Sequence, residues 1–421
     1  MKIKEIHVEN YRSLRNITFR PGDLTVVIGA NGSGKSNLAS AFEFLSDVYD
    51  NGLEYAVLKK GGFENIAYRG KRRTKSAIQF SVDYVLENKD RFPIFFHGPE
   101  RAKLLRVKHS FAFKASVQTI RADYHVIEES LEFYKDAEND NLENCDTWPL
   151  YFKMTKRGED LEVEKGQEQN NEEIDQYVDY LKITQKFNKS GPNIGALDLI
   201  GLGRGTPSGM SVHQFSPQIA RAPGAPTPSP KLTSYGENLA ALVDWLQRNH
   251  PKGWRQVESS MQEIVPGLEE IGVEFSSNKL LTLFFKEERT SRPWSSVEVS
   301  DGTIQTLAIL CCLADPRVSL LFLEEPENSV HPWIVRQLAE QFKKYSKKSQ
   351  AILTTHSPII LNVVSPYDVW ICHKIGGETL VSHLPEVNPE VVEDWERGGG
   401  RLYDLLDLGL IHEAVPKGQL S

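Results

Sequence analysis

The sequence predicts an α/β fold with a mixed sheet at its core, and three apolar segments carry that prediction. Leu24 to Ile28 is a short apolar run that a glycine-rich loop and a helical pattern follow. Val318 to Leu323 is a second apolar run, and acidic residues follow it directly. Gln350 to Thr354 is a third run, followed by polar residues. Each run has the length and composition of a buried strand, so we assign all three to the core.

The glycine-rich loop from Gly29 to Ser36 reads Gly-Ala-Asn-Gly-Ser-Gly-Lys-Ser. It lies between a predicted strand and a helix in which Leu38, Phe42 and Leu45 recur at helical spacing. Glycines let successive backbone N–H groups turn toward an anion, and the helix N-terminus adds its positive dipole end. A serine- and glycine-rich turn that matches by chance is the alternative, and the strand–loop–helix context disfavours it.

The loop therefore predicts that the chain binds a nucleoside triphosphate. We expect Lys35 to reach the β- and γ-phosphates and the Ser36 hydroxyl to coordinate Mg²⁺. The residues predicted to contact the nucleotide at this loop are Asn31, Gly32, Ser33, Gly34, Lys35, Ser36 and Asn37.

Composition limits the class of protein. The chain has 421 residues, of which 40% are hydrophobic and 25% charged, as in ordinary globular proteins with two to three domains. The absence of a long apolar window and of a signal-peptide pattern predicts a cytoplasmic protein with no membrane partner. The adjacent Cys311 and Cys312 are interpreted as buried apolar residues. The net charge of −8 disfavours a surface coated for nucleic acid but allows a local basic face.

Patterning along the chain predicts three parts, at residues 1–130, 131–231 and 232–421. The first begins with strand, turn, strand, phosphate-binding loop and helix, and alternation near Ile78 to Leu86 adds a half-buried strand. Strand-like runs at Leu104 to Ala115 and Val117 to Glu128 then predict an antiparallel β subdomain.

The middle part is predicted to be an inserted helical and acidic lobe. Lys135 to Asn171 is acidic and amide-rich, which indicates a peripheral lobe or surface loop outside the core. A helix is predicted over residues 173–187. Residues 203–230 are rich in Gly, Pro and Ser, and we expect a long loop that holds neither a helix nor a central strand.

A cluster of lysines and arginines runs from Lys59 to Lys75. A solvated loop explains it in the simplest way. An edge that contacts nucleic-acid phosphates is the alternative, because such a cluster is unusual in an acidic chain.

The second half of the predicted nucleotide site lies in the C-terminal part. Glu324 would hold Mg²⁺, and Glu325 would orient and deprotonate the attacking water, since open α/β sheets place ligand chemistry at the carboxyl ends of their strands. Solvated acids at the end of a strand are the alternative. Ser300, Asp301 and Gly302 precede a helical pattern and form a candidate second anion site. His356 follows the next strand, where it could contact a γ-phosphate.

Together these motifs resemble the ABC-type ATPase heads of the RecF and SMC kind. The resemblance is closer to the bacterial predicted ATPases of the AAA-like ABC class. Relatives of that class form the ATPase part of OLD-type nucleases and of several phage-defence systems. The segments Glu9 to Leu14 and Tyr235 to Leu242 also match that group.

The resemblance implies a mechanism. The Ser-Asp-Gly-Thr signature beginning at Ser300 would cap the γ-phosphate held by Lys35 and its loop in another subunit. Two ATP molecules would then be enclosed in a head-to-tail homodimer or a higher oligomer, and hydrolysis would release it. ATP and Mg²⁺ are the implied cofactors, and Lys35, Glu325 and His356 are the implied catalytic residues.

The sequence departs from the family pattern at several points. Glu324 stands where the usual aspartate of the acidic strand would be, and the signature lacks the Gly-Gly pair of transporter heads. Gln79 lies in an alternating strand, so the family's Q-loop is not assigned. Arg12 is either a nucleotide contact or a surface arginine.

Four functions are compatible with these motifs. The first is an ATP-dependent dimerising switch that acts on DNA or on a partner effector, a nuclease or toxin encoded alongside, in anti-phage defence. The second is a transporter nucleotide-binding subunit, which the signature and the long separation of Lys35 from Ser300 disfavour. The third is a RecF-like repair or recombination factor. The fourth is a nuclease, which the lack of a C-terminal acidic metal cluster in the sequence disfavours.

Overall fold

The computed structural model describes residues 1–69, 76–87, 104–115, 124–134, 142–158, 160–166, 209–398 and 400–407. The helix predicted over residues 173–187 lies outside these ranges, as do residues 70–75 of the basic cluster.

The strands of the described ranges are numbered in chain order. They are β1 (Lys2–Tyr11), β2 (Leu14–Phe19), β3 (Leu24–Ile28), β4 (Ile78–Glu87), β5 (Leu104–Ala115), β6 (Tyr124–Tyr134), β7 (Leu150–Arg157), β8 (Asp160–Lys165), β9 (Met210–His213), β10 (Leu268–Phe275), β11 (Leu281–Glu287), β12 (Trp294–Ser295), β13 (Leu320–Glu324), β14 (Gln350–Thr354), β15 (Val369–Ile375) and β16 (Glu378–His383).

The helices are numbered in the same way, and short 3₁₀ turns lie at Leu142–Thr147 and Pro366–Asp368. They are α1 (Lys35–Asn51), α2 (Leu53–Lys59), α3 (Phe63–Ile66), α4 (Pro217–Ala220), α5 (Leu239–Asn249), α6 (Pro251–Ile264), α7 (Asp301–Ala314), α8 (Pro332–Ser346), α9 (Pro358–Leu361), α10 (Leu384–Val387), α11 (Pro389–Glu396) and α12 (Leu402–Asp407). None of the described helices combines the length and apolar character needed to span a bilayer.

The chain folds into two compact units. The first contains the described residues of 1–22, 40–208 and 373–381, and the second those of 23–39, 209–372 and 382–421. The predicted three-part division into residues 1–130, 131–231 and 232–421 stays a prediction.

The first unit contains an antiparallel sheet with the strand order β8-β7-β6-β5-β4-β1-β2. Its alternating strands bury one face, as Ile78, Phe80 and Val82 of β4 illustrate. The predicted antiparallel arrangement of these strands is therefore confirmed. Its third strand, β6, ends at Tyr134 instead of Glu128. The N-terminal segment contains one strand more than predicted, because β2 pairs with β1 before β3 begins.

An aromatic cluster holds helix α1 against this sheet. The ring of Phe44 stacks on Phe80 at 5.3 Å and on Phe113 at 6.0 Å between centroids. The Tyr11 hydroxyl donates a hydrogen bond to the Ser40 carbonyl over 3.1 Å. Burial of these large rings, with a partner for the one hydroxyl, stabilises the contact between helix and sheet.

The acidic stretch from Lys135 to Asn171 was expected to lie outside the core, and this prediction is wrong for the β7–β8 hairpin. Trp148, Phe152 and Met154 are buried, and Phe152 stacks on Phe133 at 4.5 Å. Three acids of the stretch, Asp160, Glu162 and Glu164, lie on β8, where no side chain is fully buried. The overall acidity of the stretch concealed the apolar pattern of one strand.

The second unit contains a parallel sheet with the strand order β15-β3-β14-β13-β9. All residues of β3 and β14 are buried, and so are the first four of β13, which confirms the three apolar strands. Glu324 lies opposite Thr354, and Thr354 lies opposite Val27. The three strands therefore end at the same edge, and the loops that follow them start side by side.

Residues 203–230 were predicted to hold neither helix nor central strand. The prediction of no helix is wrong, because α4 forms within the stretch. Proline is tolerated in the first turn of a helix, because the N–H groups of that turn have no intrahelical acceptor. Pro217 occupies that turn of α4. Strand β9 also forms there. It lies at the end of the parallel sheet and, among the described strands, pairs only with β13.

A buried ion pair between Arg106 and Asp83 contributes to the free energy of unfolding of the first unit. The Arg106 guanidinium contacts the Asp83 carboxylate at 2.6 Å, with side-chain exposures of 11% and 6%, and also donates to the Cys145 carbonyl. Arg106→Met would leave Asp83 buried without its cation, so we expect a loss of about 3–5 kcal/mol in the free energy of unfolding. Urea-induced unfolding followed by circular dichroism measures this loss.

Arg157→Met is the matched control for that prediction. Its partner Glu128 lies in the same unit, but both side chains are about half exposed. Such surface pairs contribute less than about 1 kcal/mol. Equal losses for the two variants would contradict the assigned role of the buried pair.

Candidate phosphate-binding site

The loop after β3 is shaped by glycine. Gly29 has φ +148°, and a Cβ atom there would lie 2.0 Å from the Cys372 carbonyl oxygen of β15. No other residue fits this position without moving the backbone. The loop closes on itself through a hydrogen bond from Ser33 N to Ala30 O at 3.1 Å. Helix α1 then begins at Lys35, so the positive end of its dipole lies at the loop.

The Lys35 ammonium group lies inside this loop, and its side chain is buried. Its Nζ donates hydrogen bonds to Gly29 O at 2.7 Å, to Ala30 O at 3.3 Å and to His356 Nε2 at 2.9 Å. Burial lowers the pKa of Lys35, while the carboxylates of Glu325 and its neighbours oppose that shift. The structure thus brings together two predicted catalytic residues from distant parts of the sequence.

His356 follows β14, the strand next to the carboxylate strand β13, as the sequence predicted. Because an ammonium group carries only donors, the ring accepts the Lys35 hydrogen bond at Nε2. Burial lowers the pKa of His356, and the nearby Lys35 charge lowers it further. The ring is therefore neutral at pH 7 in this arrangement.

The carboxylates of Glu324 and Glu325 lie at the carboxyl end of β13. Glu324 is the last residue of the strand and is partly exposed. Glu325 has φ +46°, a left-handed conformation that is uncommon outside glycine, and its N–H donates to Thr354 O at 2.9 Å. Its Oε2 accepts a hydrogen bond from Asn328 Nδ2 at 2.8 Å. Backbone geometry therefore turns the Glu325 side chain away from the direction that a continued strand would give it.

Glu327 is a site residue to which sequence reasoning assigned no role. Its Oε1 accepts hydrogen bonds from Thr355 Oγ1 at 2.6 Å and from His356 N at 2.8 Å. Its Oε2 is buried and has no hydrogen-bond partner among the described residues. Glu327 thus fixes the backbone of His356 to the acidic loop. A third acid directly after Pro326 was the available signal.

The signature forms the start of helix α7. Ser300 caps the helix, because its Oγ accepts a hydrogen bond from Thr303 N at 3.1 Å. A Cβ at Gly302 would lie 2.8 Å from Ser329 O, so the loop after the carboxylates packs closely on the first turn. The Asp301 carboxylate is bound by Gln218 and Arg221. Within the described residues, none of these side-chain hydrogen bonds reaches the loop of residues 29–36.

These residues fit a magnesium triphosphate. Ser36 is exposed at the first turn of α1, and Glu324 is partly exposed at the strand end, so a hydroxyl and a carboxylate oxygen are both accessible. Mg²⁺ prefers such oxygens and usually takes the rest of its shell from phosphates and water. In keeping with this, the described residues contain no group of three or more acidic, histidine or cysteine side chains that could hold a metal alone.

Comparisons with known proteins identify the family of the chain. The family described as "AAA domain, putative AbiEii toxin, Type IV TA system" matches residues 24–362, a range that contains all the motifs above. The retron Ec83 probable ATPase of Escherichia coli is 20% identical over 411 residues, which cover 88% of this chain and 71% of that protein.

The fold is also known among solved structures. The structure of an SMC head bound to the C-winged helix domain of ScpA aligns with a TM-score of 0.52 and 14% identity, covering 92% of this chain and 100% of that one. This likeness confirms the predicted α/β fold of a P-loop ATPase head. Since the family match spans far more than half of the sequence, the chain, which has the fold of SMC heads, belongs to this AAA-domain family of ATPases.

Proposed function

We propose that this ATPase is an ATP-dependent dimerising switch that controls a partner effector, a nuclease or toxin, in anti-phage defence. The observation that carries the proposal is the division of the site within one chain. Lys35, the carboxylates and His356 lie at one sheet edge, whereas the signature at Ser300 makes its side-chain hydrogen bonds elsewhere. A second copy of the chain would supply the missing signature.

The loop would bind the triphosphate by exchanging hydrogen bonds. Lys35 now donates to Gly29 O, Ala30 O and His356 Nε2, and a phosphate oxygen would replace these acceptors with a charged one. Backbone N–H groups of residues 31–37 would face the remaining phosphate oxygens. Mg²⁺, held by Ser36 and Glu324, would neutralise charge on the β- and γ-phosphates.

Hydrolysis would depend on residues after β13 and β14. Glu325 would orient the attacking water and accept its proton. His356 would lose the Lys35 hydrogen bond once phosphate binds, and its Nε2, the acceptor in that bond, would then carry a proton in order to donate to the γ-phosphate. Glu327 would keep the His356 backbone fixed during this exchange. Ser300 Oγ and the backbone of Gly302 in the second copy would close the other side of the γ-phosphate, which yields a head-to-tail homodimer or a higher oligomer built from it.

The defence role is supported by the retron ATPase among the relatives and by the resemblance to phage-defence ATPases. A direct role on DNA has less support. In the basic cluster, Lys59 bonds to Asp47 at 2.9 Å and Lys60 pairs with Glu43, so both bind carboxylates of their own chain. A protein effector is therefore the proposed partner, and DNA remains the alternative.

Substitutions of Lys35 and Glu325 should impair ATP hydrolysis in different ways. Lys35→Ala removes the charge that binds phosphate, so nucleotide binding and turnover should both fall. Glu325→Gln keeps the shape but removes the base, so ATP should still bind while hydrolysis falls by about 10²-fold or more. Equilibrium binding and phosphate release measure the two effects. Hydrolysis by Glu325→Gln at the parental rate would show that Glu325 is not the base.

If each nucleotide site is shared between two copies of the chain, two inactive variants should complement each other. A Lys35→Ala chain retains an intact signature, and a Ser300→Arg chain retains an intact phosphate-binding loop. Mixing them should restore one complete site in each heterodimer, measured as ATP hydrolysis. Heterodimers confirmed by native mass that remain inactive would contradict the shared site.

His356 should titrate below the ordinary pKa of 6.5, since burial and the Lys35 charge both disfavour its protonated form. The folded state should therefore lose stability as the pH falls from 6.5 through the lowered pKa. Lys35→Ala removes the charge but not the burial, so it should raise the pKa of His356 part of the way to 6.5. NMR of ¹³C-labelled histidine, assigned with His356→Gln, measures both values. The same pKa in both proteins would contradict the observed contact.

A further inference from the structure

The segment of residues 214–238 contacts the signature through Arg221, the residue that ends helix α4. One guanidinium nitrogen of Arg221 forms an ion pair with Asp301 Oδ1, and another donates to Val297 O at 3.3 Å. Gln218 Nε2 donates to Asp301 Oδ2 at 2.9 Å. Both oxygens of the signature carboxylate are therefore bound by one short segment.

The segment that carries Arg221 is fixed at several points. Gly224 exchanges two backbone hydrogen bonds with Leu281 of β11, at 2.9 and 2.8 Å. The Ser296 hydroxyl donates to the Arg221 carbonyl at 2.7 Å. The Arg221 side chain is only 18% exposed. The guanidinium is thus held in place before any ligand binds.

The charge of Asp301 gives this arrangement a consequence for catalysis. Asp301 is the first residue of α7 and directly follows Ser300, and its side chain is 40% exposed. A free carboxylate there would repel a triphosphate that approaches Ser300 and Gly302. Pairing with Arg221 offsets that charge, while the positive end of the helix dipole still favours an anion at the start of α7.

We propose that Arg221 is a positioning residue for ATP hydrolysis, which neutralises and orients Asp301 so that the signature of one copy can meet the triphosphate bound by another. This inference rests on the proposed function of the signature in a shared site. It assigns a catalytic purpose to the proline-rich segment, whose role nothing else in the site explains.

The test is a double-mutant cycle measured as ATP turnover. Arg221→Met keeps most of the apolar stem and removes the charge, so kcat should fall about tenfold, within the range of coupling energies between contacting residues. The KM for ATP should change less than kcat, because the phosphate-binding loop is untouched. In an Asp301→Asn background the carboxylate charge is already absent, so Arg221→Met should then lower kcat less than about twofold.

Two controls separate positioning from a general loss of structure. Arg248→Met removes an exposed arginine that pairs with Asp244 in the same unit, and it should leave kcat unchanged. Arg221→Lys retains the charge but not the planar fork, so it should recover part of the lost turnover. It also serves as the test variant if Arg221→Met does not fold.

Two results would overturn the inference. The first is an equal loss from Arg221→Met in the parental and Asp301→Asn backgrounds, which would mean that Arg221 acts independently of Asp301. The second is parental turnover in Arg221→Met. The mixture of Lys35→Ala and Ser300→Arg chains tests the shared site separately. If that mixture is active and the cycle shows no coupling, this inference fails and the proposed function stands. If the mixture is inactive, the proposed function itself fails.

Discussion

The hydrogen bond between Lys35 Nζ and His356 Nε2 is the contact on which the rest of the site depends. It joins the loop after β3 to the segment after β14, two neighbouring strands of the parallel sheet. The Glu327 carboxylate then ties His356 to the loop after β13, because it accepts a hydrogen bond from the His356 N–H. Three loops separated widely in sequence thereby share one set of hydrogen bonds. The parallel register makes this possible, because it ends all three strands at one edge.

This contact also constrains what nucleotide binding must do. Lys35 donates its hydrogen bonds within its own chain, so under the proposed function a triphosphate would replace them and thereby release His356. In the proposed mechanism, occupancy of the loop is thus coupled to the state of a histidine one strand away. A switch needs such a coupling, since it must distinguish the bound state from the free one. Glu327 would hold the His356 backbone to the loop that carries Glu325 throughout this exchange.

Most of the sheet core and the strand–loop–helix arrangement around the glycine loop could be predicted from the sequence. The strands β3, β13 and β14 are uninterrupted apolar runs, and the glycine loop has one known use in that context. The helix that begins after Ser300 also followed from the helical pattern there. These features are local, so a short window of sequence contains the information that specifies them.

The parts that could not be predicted depend on contacts between distant residues. The Glu327 hydrogen bonds exist only because β13 and β14 are neighbours, and Arg221 meets Asp301 only after the proline-rich segment docks. Composition also misled where a segment carried two patterns. The acids of residues 135–171 concealed the buried face of β7, and the prolines of residues 203–230 concealed β9 and α4.

The central claim is that one nucleotide is shared between two copies of the chain. An ATP analogue with a photoreactive group on its γ-phosphate tests it most directly, in a mixture of isotope-labelled Lys35→Ala chains and unlabelled Ser300→Arg chains. Only the unlabelled chain retains Lys35 to bind the analogue. The shared site predicts a cross-link on the Ser300–Thr303 peptide of the isotope-labelled chain. Cross-links confined to the unlabelled chain would contradict the shared site and place the whole reaction within one copy.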